Sequence, residues 1–571
     1  MVSLRDANFC LFFYLVVNYF CLVQSLSIFS LSLHLGSEPK RKIESNNPVF
    51  SKTYSLTATL YIPYAEIREP LFAWYDSNVG ASRIDYYGGM MKTYQLSNSG
   101  QYGASIKVVP VTTEDETNVE SCMQVNGSDS YHITPQSVVP DLTNFKFIGQ
   151  DIVDGTPVDK WRYVESDGHK VSKYTAWVRY ERVNGSKTPI PVRYEMNGYN
   201  SLLGSHFDHY YLSYDSYTTE SPDPDVFIIA ENLKCGSFPG PGVDHIYTFN
   251  PIKEFIENYD EHVDNSFDEF KRKHNKSYSP STHEHINRKE IFRQNLRFIH
   301  SKNRANLGFQ MAVNHLADRS EMELKALRGR KYSAGYNGGL PFPYDAEKEI
   351  ADVPETLDWR LFGAVTPVKD QSVCGSCWTF GTTGTVEGAF FLKYKYQVVL
   401  APQALVDCSW GYGNNGCDGG EDYRAYKWIQ KHGGLPTEED YPYLGADGFC
   451  HVNNSRLFGG ISGYVNVTVN DEKALKVALF KKGPISISID ASPRTFTFFS
   501  NGIYDDPDCK NGLDELDHSV LLVGYGSLNG KEYWLVKNSW STYWGNDGYI
   551  LISPVNNICG VTTAPTYVLM K

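Results

Sequence analysis

Gln371-Ser-Val-Cys374-Gly-Ser-Cys377-Trp378 is the stretch on which the reading of this chain turns. A helical pattern opens near Ser376 and runs to Tyr394, so the thiol of Cys377 falls at a helix N-terminus. A free thiol is only roughly a few per cent ionised near neutral pH, and the thiolate is the nucleophile. The positive end of a helix favours that anion, which suits covalent catalysis. Such a nucleophile also needs an imidazole and a group to orient it. Leu516-Asp-His518-Ser-Val and Lys537-Asn538-Ser-Trp540 lie downstream, beside the β-like runs Ser519 to Tyr525 and Glu532 to Lys537. Cys-x-x-Cys is also a zinc or redox signature. Here no second such pair or His cluster accompanies it and no βαβ pattern opens on it, so those readings lack support. A serine triad lacks a Gly-x-Ser-x-Gly elbow near a plausible partner set.

At 571 residues the chain is too long for one hydrophobic core, and three or four domains are expected. A net charge of −13 argues against nucleic acid as a partner. Ala7 to Leu33 carries no charged residue, and Phe9 to Val23 is apolar apart from Asn18. Residues 1–26 are therefore read as a signal peptide; an uncleaved anchor is the alternative, weakened by the serines of the far half. Eleven cysteines include Cys10 and Cys21 of that leader, leaving nine, so eight can pair and one thiol stays free. Sequons at Asn126, Asn184, Asn275, Asn453 and Asn466 agree with a secretory route and with disulfide formation.

Residues 50–255 are β-rich, as in Tyr54 to Tyr61, Ser105 to Val109 and Tyr174 to Tyr180, and contain only Cys122 and Cys235, which are expected to pair. In that region His206, Asp208 and His209 lack a convincing third metal ligand and read as a solvated loop. Residues 266–328 are charged and helical in spacing. Residues 329–352 hold the glycine-rich tract Gly335 to Pro343, read as an exposed linker, and the last domain spans 353–571.

Taken together, Cys374-Gly-Ser-Cys377-Trp378, His518 and Asn538 resemble the papain family of cysteine peptidases, closest to its cathepsin L branch. The resemblance implies an α+β fold: a papain-like two-lobed domain, one lobe helical and one barrel-like, behind a helical inhibitory prodomain and the β-rich N-terminal domain. It makes Cys377 the nucleophile, His518 the acid–base, Asn538 its orienting partner, Trp540 the cover over that contact and Gln371 the oxyanion donor. It pairs Cys374 with Cys417, Cys408 with Cys450, and Cys509 with Cys559, leaving Cys377 free. No cofactor or metal is implied. The partners are protein and peptide substrates, the propeptide as internal inhibitor, and an N-terminal chain associated with the catalytic chain.

Glu284, Arg288, Ile291, Phe292, Asn295, Ile299 and Asn303 resemble the family's helical propeptide signature. Ala312-Val-Asn314-His-Leu316-Ala-Asp318 resembles its second motif, departing at Ala312 and Leu316. By resemblance Gly420 offers backbone bonds to substrate. Ser488, Leu516, Ser519, Ala564 and Asp422 line the pocket for the second residue before the cut (P2), and Trp544 adds to the substrate surface. With the Glu421 and Asp422 carboxylates facing solvent, that pocket is expected to prefer hydrophobic side chains. Leu60 to Tyr64, Ser82 to Gly88 and Leu203 to Tyr211 resemble the two-chain cathepsin-like proteases of arthropods, which carry a long N-terminal extension. The expected function is thus a cysteine endopeptidase made as a zymogen, in lysosomes, the gut lumen or haemocyte granules. The rivals are carbohydrate or lipid binding added by the front domain, or a non-catalytic binding protein.

Overall fold

Period-two alternation sends the front of the chain into sheet. In Thr53–Ile62 the side chains of Tyr54, Leu56, Ala58, Leu60 and Ile62 are buried. The computed structural model describes residues 47–111, 118–183, 185–237, 244–280, 282–452 and 455–571; the leader and the sequons Asn184 and Asn453 lie outside them. Thr53–Ile62 sits inside a sheet of 12 strands. It pairs antiparallel with Ile67–Asp76 on one side, Ile62 opposite Ile67, and with Ser205–Thr218 on the other, Leu60 opposite Leu212. Leu56, Trp161, Tyr194 and Leu212 form its core together with Ile252 and Phe255, which follow the sheet in sequence. Cys122 and Cys235 are bonded. The expected solvated loop at 206–209 is instead part of the strand Ser205–Thr218, with Asp208 only 1% exposed.

The charged segment folds as helices Glu261–Lys273 and His283–Ala305. The second starts where the Thr282 hydroxyl caps the His285 N–H at 3.2 Å and ends at Asn306 in the left-handed conformation. Phe267 and Phe270 meet Phe292 at ring distances of 5.3 and 5.0 Å, fixing the helix crossing. The departures at Ala312 and Leu316 leave the turn intact. Leu316 is buried, and Asn314 accepts its N–H at 3.0 Å while donating to the Thr497 carbonyl at 2.8 Å.

The last domain has two lobes. One packs helices Cys377–Tyr394, Pro402–Cys408 and Asp422–His432 around Trp378, Leu405 and Trp428. The other is built on His518–Leu528, paired antiparallel with Ile485–Ile489 and Lys531–Lys537. Cys374–Cys417, Cys408–Cys450 and Cys509–Cys559 are bonded, and Cys377 is the free cysteine among the described residues. The preceding segments extend this sheet at both ends. Phe309–Met311 pairs antiparallel with Phe499–Tyr504, and Leu340–Pro341 pairs parallel with Ile461–Asn466. The glycine-rich tract is exposed over most of its length yet pinned by that pairing.

Candidate active site

Cys377 opens its helix and is fully buried. Backbone N–H groups of Ser519 and Gly329 donate to its sulfur, but burial dominates and pushes the thiol up to about 11. His518 begins a strand in the facing lobe and is also fully buried. Asn538 Oδ1 accepts the Ser539 N–H at 2.8 Å, which fixes the amide's orientation. His518 Nε2 lies 2.8 Å from that same oxygen and therefore donates to it, leaving Nδ1 as the basic nitrogen, buried and without a hydrogen-bond partner. The Trp540 ring lies 4.8 Å from the imidazole and shields this contact. Burial lowers His518 to about 4. Burial thus disfavours both the thiolate and the imidazolium while the site is covered.

The inhibitory segment covers the site. Gln371 Nε2 donates to the Leu327 carbonyl at 2.8 Å and to Cys374 O at 2.8 Å, while its Oε1 accepts from Ser539 Oγ at 2.7 Å. The Gly420 N–H donates to Gly329 O and the Lys331 N–H to Gly420 O, both at 2.9 Å, in a parallel bridge. The chain therefore presents the Gly329 N–H to the sulfur. Two glycines make this approach possible. A Cβ on Gly329 would lie 1.7 Å from Gly375 O, and one on Gly420 would lie 2.5 Å from Asn414 Oδ1 and 2.7 Å from the Trp378 ring.

Beside the crossing is a cavity of about 270 Å³ lined by Asp422, Ser488, Ser519 and Ala564, with Arg330 and Leu513. Several expectations need correction. Asp422 does not face solvent: its carboxylate accepts from Thr566 Oγ1 at 2.6 Å and Ser486 Oγ at 3.0 Å, and burial raises its pKa. Glu421 is 5% exposed and accepts from Arg424 Nε at 2.8 Å and Ser333 Oγ at 2.7 Å. Both carboxylates are thus turned inward, where neighbouring hydroxyls and Arg424 supply partners that an isolated buried carboxylate would lack. Leu516 contributes its carbonyl, 2.7 Å from Arg330 Nη1, while its side chain packs toward Gly560. Trp544 is fully buried beneath Trp540 in this covered form, their rings 5.6 Å apart, and its Nε1 donates to Phe496 O at 3.1 Å. Of the described sequons, Asn126 and Asn275 are exposed. Asn466 is not free: its Nδ2, the glycan attachment atom, donates to Asn337 Oδ1 at 2.9 Å. Sequence reasoning missed Gly329, Arg330 and Thr566; hydroxyls at Ser486 and Thr566 beside an apolar pocket were the available signal.

Residues 353–569 match the family model for papain family cysteine protease, and residues 267–324 match that for the cathepsin propeptide inhibitor domain. A cathepsin L-like peptidase of Aedes aegypti is 44% identical over 321 residues, covering 54% of this chain and 94% of that protein. Digestive cysteine proteinase 1 of Homarus americanus is 42% identical, covering 53% of this chain and 94% of its own. The solved procathepsin L2 proteinase from Tenebrio molitor larval midgut is 33% identical with a TM-score of 0.50, covering 54% of this chain and 99% of its own. The fold, the free thiol under its inhibitory crossing and these likenesses converge: the chain belongs to the papain family of cysteine proteases, as a cathepsin L-like proenzyme with its inhibitory propeptide attached.

Proposed function

We propose that the mature form is an endopeptidase that cleaves peptide bonds through Cys377, His518 and Asn538. Once the crossing leaves, water and substrate enter. The thiol proton passes to His518 Nδ1, and the helix N-terminus and the imidazolium favour the resulting thiolate. The sulfur attacks the scissile carbonyl carbon, and Gln371 Nε2, vacated by Leu327 O, receives the developing oxyanion. His518 protonates the leaving amine, then activates the water that releases the acyl group. The single observation that carries this reading is the oriented His518–Asn538 pair beside the one free cysteine of the described chain. Treating acid-activated protein with a thiol-trapping epoxide tests it. A stoichiometric adduct on Cys377 with loss of hydrolysis is expected, and an unmodified Cys377 would overturn it.

Substrate choice follows the pocket. Arg330, just past the inhibitory helices, occupies it with Nη1 on the Leu513 and Leu516 carbonyls at 2.8 and 2.7 Å; burial disfavours its charge, and the Asp422 and Glu421 carboxylates partly offset this. This supports a P2 pocket that accepts arginine or lysine, in place of the purely hydrophobic preference expected from sequence. Processing removes residues 1–26 and cuts within 329–352 and near the exposed Glu257 and Asn258, separating the domain of residues 50–255 from the rest. Four disulfides suit the secretory pathway, ending in lysosomes or outside the cell. No helix of the described residues is long and apolar enough to cross a membrane.

A further inference from the structure

The helix His283–Ala305 has two buried faces. Its propeptide motif residues serve the peptidase side. Asn295 Oδ1 accepts from Arg494 of the peptidase, Phe292 and Ile299 join the peptidase core, and Asn303 Nδ2 donates at 2.8 Å to O of Met311, in the propeptide strand that pairs with Phe499–Tyr504. Between them runs a second stripe: Glu290, Arg293, Gln294, Arg297, Ser301 and Arg304, each no more than 9% exposed. These positions share another helical face, since three- and four-residue steps return to one side.

That face is gripped by the front domain. Arg297 holds both oxygens of Asp208, at 2.7 and 3.0 Å, and donates through Nε to Glu254 at 2.6 Å. Arg304 clasps Glu69 at 2.9 and 2.8 Å, and the Ser301 hydroxyl donates to the same carboxylate at 2.5 Å. Lys170 reaches Glu290 at 2.8 Å. Asp208 comes from Ser205–Thr218, Glu69 from Ile67–Asp76 and Glu254 from the short helix Lys253–Ile256, so three separate front elements converge on one helix. Forked guanidinium–carboxylate contacts demand fixed geometry, and a charge left alone at these sites has no water to turn to.

We propose that the front domain is a second clamp on the inhibitory helix, so that latency depends on Arg297 and Arg304 as well as on contacts with the peptidase. The front domain's partner is then the arginine stripe of its own propeptide. A helix held on both sides leaves the cleft only when both grips yield. The inference rests on the reading of this segment as the inhibitor.

The test uses the full chain. In a Cys377→Ala precursor, which cannot cut itself, the set Arg297→Gln, Asp208→Asn, Glu254→Gln, which replaces each charge by a neutral side chain of similar size, is compared with the parent by hydrogen exchange at neutral pH. Exchange over residues 283–305 is expected to rise at least about tenfold while Thr53–Ile62 and Cys377–Tyr394 stay protected. In the active chain, the same set is expected to become active at least about tenfold faster near pH 6.5. Unchanged exchange and activation overturn the proposal, as does loss of protection in Thr53–Ile62 together with the helix, which would mean a merely structural role. If that set does not accumulate, a site for a sequence-specific protease placed at Asn258 of the Cys377→Ala precursor keeps the test open. After the cut, the front domain and the remainder should co-elute; separate elution at neutral pH overturns the clamp. Absence of an epoxide adduct on Cys377 would remove the catalytic reading and leave these exchange results standing, so the two failures are distinguishable.

Discussion

Gln371 Nε2 donates to the carbonyl oxygen of Leu327 at 2.8 Å, so the propeptide rests a neutral carbonyl on the group expected to receive a substrate's oxyanion. Gln371→Ala is expected to weaken two things together: turnover of the mature enzyme, by roughly 10²–10³-fold in kcat, and affinity for the propeptide. Steady-state kinetics and inhibition by added propeptide measure both. A loss in KM alone would place Gln371 outside the oxyanion site.

Cys377→Ala is expected to abolish hydrolysis without unfolding, whereas Asn538→Ala loses less because nucleophile and acid both remain. Active-site titration and kcat/KM with a peptide substrate separate the two. Equal losses would mean that Asn538 does more than orient His518.

Activation is expected at acid pH, and buried histidines are groups that favour opening there. Burial lowers His518 and His274 to about 4 and His315 and His300 to about 3, from an ordinary value near 6.5. Each is neutral when the precursor is closed and takes a proton when exposed. The closed form therefore keeps their full contribution above about pH 6.5 and loses it as pH falls toward 4. Asp517, raised by burial to about 6, acts oppositely, favouring the closed form as pH drops through that value. His274→Gln with His315→Gln should lower the midpoint of activation by about 0.5 pH or more. Following the onset of hydrolysis across a pH series checks this, and an unmoved midpoint excludes these two as the trigger.

The 1.7 Å between a Cβ on Gly329 and Gly375 O makes the crossing intolerant of any side chain. Gly329→Val should lift the chain from the cleft, leaving a precursor that hydrolyses peptide at neutral pH and whose Cys377 reacts with an epoxide before processing. A fully latent Gly329→Val precursor would contradict the geometry.

Asp422 sets the P2 prediction. A positional library should return arginine or lysine among the accepted P2 residues. Asp422→Met should cut the arginine-to-leucine ratio by about tenfold, the equivalent of about 1.4 kcal/mol. Rejection of arginine by the unaltered enzyme would sink the assignment.

Much of this was legible in the chain. The nucleophile, imidazole and amide sit in local contexts with fixed chemistry, and the strand at Tyr54 and the helix at Arg288 announce themselves by period. What escaped depends on tertiary partners. Nothing local marks Arg297 and Arg304 as buried, since charge normally implies water, and only Asp208, Glu254 and Glu69, distant in sequence, make their burial tolerable. Asp422 escaped for the same reason: its hydroxyl partners, Ser486 and Thr566, lie 64 and 144 residues away. The burial that disfavours both ions of Cys377 and His518 belongs to the covered cleft and to no local motif.

Phe309–Met311 closes one end of the peptidase sheet against Phe499–Tyr504. When the propeptide departs, that strand's outer amides and carbonyls become an open edge, the kind of surface on which sheets of separate molecules stack. At this end only three rungs are uncovered, Phe309, Gln310 and Met311 facing Gly502, Asn501 and Phe499, with an irregular step between the last two. A brief, broken ladder is a poor template, so the newly freed enzyme should stay monodisperse through the activation that strips its cover.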